Sequence, residues 1–110
     1  MKVRVIKRET VLLFAEKHAG AVPSFAKWIK DVKDANWNIP ENIKSTFGSA
    51  DLLGNGSNRV VLDIGGNNYR IICKYVITRT EFVLYVKWIG THAEYTKLCN
   101  RKGQYTVNDH

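Results

Sequence analysis

The sequence predicts a small α+β domain, on three observations. Two runs rich in β-branched and aromatic residues, Arg59–Ile64 and Tyr69–Ile77, flank Gly65-Gly66-Asn67-Asn68. Gly and Asn supply the positive-φ positions of a hairpin turn. A third such run, residues 82–89, follows the turn Thr78-Arg79-Thr80-Glu81 and completes a meander. Ahead of these, Phe25, Trp28, Ile29 and Val32 recur at i, i+3, i+4 and i+7, the stripe of an amphipathic helix that must cover a flat apolar surface. The expected order is β-α-α-β-β-β with a short C-terminal helix, two N-terminal helices packing on an antiparallel β-sheet.

The elements follow in turn. Val3, Val5 and Ile6 alternate with Lys2, Arg4 and Lys7, so residues 2–6 read as a strand. Thr10 is the expected cap of a helix running to His18, with Gly20 as its stop. Pro23 suits the first turn of the second helix, whose polar side takes Lys27, Lys30, Asp31, Lys33 and Asp34. Residues 36–38 break that helix, and a short one starts at Pro40 and ends near Gly48. Residues 53–58 read as a turn; without a Gly-Lys-Ser or Gly-Lys-Thr ending they do not make a phosphate-binding loop. After Gly90, Thr91 caps a last short helix, with Glu94 placed to complete a capping box. Residues 101–110 read as a loose polar tail.

Composition limits the function classes. The chain has 110 residues, and 17 Lys and Arg against 10 Asp and Glu give a formal charge of +7. A single domain over 1–110 is expected. No apolar run approaches the roughly 20 residues that span a bilayer, and the charged start lacks a leader's apolar region, so a cytoplasmic protein without membrane contact is expected. Cys73 and Cys99 are too few for a disulfide scaffold and have no zinc-ligand spacing; neither a metal nor a cofactor is expected. The basic balance points to a polyanionic partner, through neutralised phosphates and released counterions.

Continuing the hairpin register sets Ile64 opposite Tyr69, Asp63 opposite Arg70, Val61 opposite Ile72 and Arg59 opposite Lys74. One face then carries Val60, Leu62, Ile64, Tyr69, Ile71, Cys73 and Tyr75, which is core. The other displays Arg59, Asp63, Arg70 and Lys74, with Val61 and Ile72 between them. His92 and Tyr95, three apart, share a helix face; alone such a turn is more often an ordinary capped helix start than a site. The meander adds meaning, because its polar face and the turn after its third strand can meet at one end of the sheet. That would gather Arg70, Lys74, His92 and Tyr95 on a basic surface. Such a set suits RNA cleavage by the RNA's own 2′-hydroxyl: a base takes its proton, a cation steadies the five-coordinate phosphate and an acid protonates the leaving 5′-oxygen, with no metal required. Histidine can do either proton transfer near neutral pH.

The segment from Arg59 through Gly65-Gly66-Asn67-Asn68-Tyr69-Arg70 to Ile72, followed by Gly90-Thr91-His92-Ala93-Glu94-Tyr95, resembles the HigB toxins of bacterial type II toxin–antitoxin systems, within the wider RelE-like group. The first half agrees, with Val22-Pro23 leading into Trp28, then Ala35-Asn36-Trp37, Phe47 and Ser49-Ala50-Asp51. The resemblance implies a RelE-like α+β fold and a ribosome-dependent mRNA endonuclease, silenced by a HigA-type helix-turn-helix antitoxin that alone contacts operator DNA. It places the family's Arg, His and Tyr on Arg70, His92 and Tyr95. Arg59, Asn67, Lys74 and Lys87 are expected RNA contacts, although the face that Lys87 takes depends on a register the sequence leaves open. Asp63 and Thr96 depart from the family pattern, where Asn and Asp are usual. The alternative function is that of a non-catalytic ParE-like toxin acting on DNA gyrase, and a further reading is a degenerate toxin that only binds its antitoxin.

Overall fold

The structure, a computed structural model, describes residues 1–109. Its strands are β1 (Lys2–Ile6), β2 (Asp51–Leu53), β3 (Arg59–Ile64), β4 (Tyr69–Ile77) and β5 (Glu81–Thr91), which form one sheet in the order β1-β5-β4-β3-β2. The β3–β4 hairpin has the register read from its turn: Ile64 pairs with Tyr69, Asp63 with Arg70, Val61 with Ile72 and Arg59 with Lys74. The turn takes four residues because Gly65 and Gly66 both sit at positive φ, +66° and +68°. The architecture is the expected α+β domain, with two additions. Short β2 pairs antiparallel with β3, and β1 lies parallel to β5, with Val3 beside Phe82, so the sheet is mixed rather than purely antiparallel. A parallel pair needs a long crossover, and the chain between β1 and β5 holds both early helices.

Helices α1 (Arg8–Glu16) and α2 (Val22–Asp34) cover one face. Helix α1 starts ahead of the expected cap: Lys7 occupies that position at φ +71°, and Thr10 lies in the first turn with its backbone N–H donating to the Lys7 carbonyl at 3.1 Å. Helix α2 has Pro23 in its first turn and buries Phe25, Trp28 and Val32, with Ile29 half-buried. On its outer side Lys27–Asp31 and Lys30–Asp34 form i,i+4 ion pairs at 2.7 and 2.9 Å. Exposed pairs of this kind add only about 0.3–0.5 kcal/mol each.

Beneath these helices lies the main core. Val60, Leu62, Ile64, Ile71 and Cys73 from the hairpin meet Phe82, Leu84 and Val86 from β5, with Tyr69 and Tyr75 packed at its margin. Helix α3 (Ile43–Thr46), entered through a 3₁₀ turn at Pro40–Asn42, closes the end of this layer. It fixes the buried Trp37, whose Nε1–H donates to Thr46 Oγ1 at 3.0 Å. Among the described residues no helix is long and apolar enough to cross a membrane.

The opposite face is smaller and differently built. Helix α4 (His92–Asn100) and the segment after it lie over Val61, Ile72 and Trp88, adding Leu98, Tyr95 and Val107 to a second apolar cluster. The segment read as a loose polar tail therefore makes specific contacts. Asp109 N–H donates to the Lys87 carbonyl at 2.9 Å, and Gly103 approaches so closely that a Cβ there would stand 2.5 Å from Leu98 Cδ1. His110, the last residue of that expected tail, lies outside the described residues.

Candidate functional site

Arg70 sits near one end of β4, opposite Gly90 of β5. Its guanidinium is held on three sides. Nε lies 3.1 Å from Asp63 Oδ1, its cross-strand neighbour, and Nη2 donates to Asn67 Oδ1 at 2.9 Å. The Tyr95 ring lies below, 5.1 Å from Cζ. The Asp63 contact is an ion pair by distance, but the buried Nε–H is not aimed along a hydrogen bond. Its attraction is thus mainly coulombic, and side chains only 20% exposed keep it from full solvent screening.

Gly90 has to lack a side chain here. The Trp88 ring folds over it, and a Cβ would stand 2.4 Å from that ring. Trp88 in turn carries Tyr95, ring centroids 6.0 Å apart, so the sheet supports the aromatic platform on which Arg70 rests.

Helix α4 begins as the capping box predicts. Thr91 Oγ1 accepts from the Glu94 N–H at 3.2 Å, and Glu94 Oε1 accepts from the Thr91 N–H at 2.8 Å. His92 is the first helical residue and is exposed, while its backbone N–H donates to the Asn68 carbonyl at 3.0 Å. This bond ties the helix start to the turn that holds Asn67. Hairpin turn, Arg70, His92 and Tyr95 therefore form one connected unit.

Burial raises the Tyr95 phenol above its ordinary pKa. The neighbouring Cys99 thiol and the Asp51 carboxylate push the same way, against Arg70. A phenol held neutral is a poor base and a good stacking surface. Of the two roles a tyrosine could take here, platform fits better than proton acceptor.

The other expected RNA contacts diverge. Asn67 is exposed but acts on Arg70, and Lys74 is exposed on β4. Arg59, expected on an open face, is only 7% exposed, and its Nη1 donates to the Gln104 carbonyl at 3.2 Å. The segment that folds over this face removes it from solvent, and desolvation lowers its pKa. The face displays fewer free cations than alternation alone predicts. Lys87 lies at a register shift, since Ile72 pairs with Trp88 but Cys73 with Val86. Its Nζ donates to Asn108 Oδ1 at 3.0 Å and lies 5.8 Å from the Tyr85 ring centroid. Asp51, Trp88 and Cys99 join the site without having been expected there; the i,i+4 spacing of Tyr95 and Cys99 was the one sequence signal available for any of them. Among the described residues no three His, Cys, Asp or Glu side chains gather to hold a metal ion.

The family model HigB toxin, a RelE-like toxic component of a toxin–antitoxin system, matches residues 21–98, which contain the hairpin, Arg70, His92 and Tyr95. An mRNA interferase HigB of Escherichia coli O6:H1 (strain CFT073) is 36% identical over 67 residues, covering 61% of this chain. The match spans 63% of that relative's length.

Proposed function

Because the chain belongs to the HigB toxin family, we propose that it is an endoribonuclease that cleaves mRNA on the ribosome, by attack of the RNA's own 2′-hydroxyl and without a metal. The carrying observation is a guanidinium fixed by Asp63, Asn67 and the Tyr95 ring, with an exposed histidine on the helix start whose backbone is tied to the same hairpin turn. Arg70 binds the scissile phosphate and steadies the charge gathering on it. His92, on a helix start anchored to the turn, exchanges protons with the 2′-hydroxyl or the leaving 5′-oxygen. Tyr95 supports Arg70 and offers a ring to a base. Attack by the 2′-oxygen closes a cyclic phosphate as the bond to the 5′-oxygen breaks, and the proton lost from the one is balanced by the proton gained at the other.

Lys74 is the free phosphate contact of this reading, and Lys87 a second one steadied by Asn108. A HigA-type helix-turn-helix antitoxin is the expected neutralising partner, with the toxin reaching operator DNA only through it. The protein acts in the cytoplasm as a single domain over 1–110.

Induced expression followed by primer extension tests the proposal, on a translated message and on the same message without its start codon. Cleavage confined to the translated message, lost with Arg70→Ala and with His92→Ala while both variants stay folded, is the expected result. Growth arrest with intact mRNA and inhibited supercoiling would replace it with the gyrase-directed reading.

A further inference from the structure

β1 forms an edge of the sheet, with β5 on one side only. A bridge between Lys2 and Asn36, beside a Trp37 N–H to Met1 carbonyl bond of 3.1 Å, covers its first residues. Beyond that bridge, among the described residues, no strand pairs with its outer side. A groove of about 430 Å³ runs along this stretch between β1 and α2. Val3, Val5, Ile29 and Val32 give it an apolar lining, and Lys2, Arg4, Arg8 and Lys33 give it a basic rim. Glu81 is the one acid lining it, already engaged by Arg4 Nε at 3.0 Å.

We infer that this edge receives an extended segment of a partner protein, alternating apolar and acidic residues, which adds a strand to β1. An unpaired strand edge is a template for main-chain hydrogen bonds, and pockets for alternate side chains supply the specificity. The alternation follows from β1 itself. Val3 and Val5 face the α2 side, where Ile29 and Val32 lie, while Lys2 and Arg4 point to the other face. A strand laid alongside sends every second residue onto the apolar lining and brings the residues between them to the cations.

Nucleic acid fits less well, because a phosphate backbone gains nothing from the valines and cannot complete a β ladder. A second copy of this chain would set Lys2 and Arg4 against their like. The surface is also separate from the Arg70 site: β1 pairs with residues 81–85 of β5, whereas Arg70 lies opposite Gly90. The inference stands whether or not the chain cleaves RNA.

The test is titration of the isotope-labelled full chain with a ten-residue peptide alternating Val and Glu, followed by amide NMR. Saturable shifts confined to residues 3–6 and 29–33, with a dissociation constant of about 100 μM or below, are expected. A Val-Lys peptide should bind at least about tenfold more weakly, and Lys2→Glu with Arg4→Glu should weaken the Val-Glu peptide by a similar factor. Both residues are exposed, so the doubly substituted chain should keep its spectrum elsewhere. No saturation at about 1 mM, shifts at other sites, or equal binding of the Val-Lys peptide would overturn the inference. So would tighter binding of an oligouridylate at the same amides, or self-association through β1 without peptide.

Discussion

The two faces of the sheet are built from the same strands, yet they carry different kinds of order. Under α1 and α2 the alternate hairpin side chains Val60, Leu62, Ile64, Ile71 and Cys73 are apolar and buried, with Tyr69 at their margin. On the opposite face Val61, Ile72 and Trp88 share space with Asp63, Arg70 and the half-buried Tyr95. One face is fixed by volume and apolar area. The other is fixed by a few directional contacts around a charge, which a substitution can remove without emptying the core.

The widest separation between the faces should come from truncating each. Phe25→Ala removes a fully buried ring from the main core and should cost about 3–5 kcal/mol of stability, measured by urea unfolding. Arg70→Ala should barely move the unfolding midpoint while lowering RNA cleavage about 100- to 1,000-fold. Equal loss of stability in both variants would erase the distinction.

Gly90→Ala sharpens the contrast at an intermediate size. The new Cβ meets the Trp88 ring at 2.4 Å, so the platform under Arg70 must shift. We expect a cost of about 1–3 kcal/mol together with reduced cleavage. Unchanged cleavage would show that Arg70 does not depend on the platform.

Alkaline pH separates the faces chemically. Burial pushes the Cys73 thiol of the main core from 9.0 up to about 12. The unfolded chain therefore loses this proton first: stability is level below about pH 9 and falls as pH rises toward about 12. Cys73→Ala should flatten that decline in unfolding curves taken across this range. Tyr95 and, at the margin of the main core, Tyr75 are both raised above 10.0 by burial and add a decline that begins nearer pH 10; Tyr95→Phe should reduce it. A single decline insensitive to both substitutions would contradict this assignment.

The smallest effect belongs to Asp63→Asn. It removes the counter-charge 3.1 Å from Arg70 Nε while keeping an acceptor of the same shape. An exchange worth about 1 kcal/mol or less should raise RNA affinity by at most about fivefold, measured by titration with a short oligonucleotide. Weakened binding would instead mean that the carboxylate's main contribution is to orient the guanidinium.

How much of this was readable beforehand also divides by face. The hairpin register, the main-core alternation, the stripe on α2 and the Thr91–Glu94 cap all depend on neighbours in sequence, and each is legible from period and turn chemistry. The connection of Arg70 to Tyr95 rests on strand pairing plus the placement of α4, and only the first part has a local signal. The burial of Arg59 by Gln104 joins residues 45 apart, and nothing in either neighbourhood announces it. The start of α1 is not legible at Thr10 because a left-handed Lys7 cap needs no side-chain signature, whereas a Thr cap has one. The parallel pairing of β1 and the register shift beside Lys87 are long-range outcomes of the same kind.

The place of β5 has a further consequence during synthesis. It lies between β1 and β4 in the sheet, yet it is the last of the five described strands to be made. Until residues 81–91 have emerged, β1 has no partner strand, and His92 is not yet present to join Arg70. Pairing across such separations is slow because loop closure must be met before the contacts reward it. A nascent chain therefore carries its guanidinium without its histidine, and the surface built around them assembles only once β5 and the start of α4 have been made.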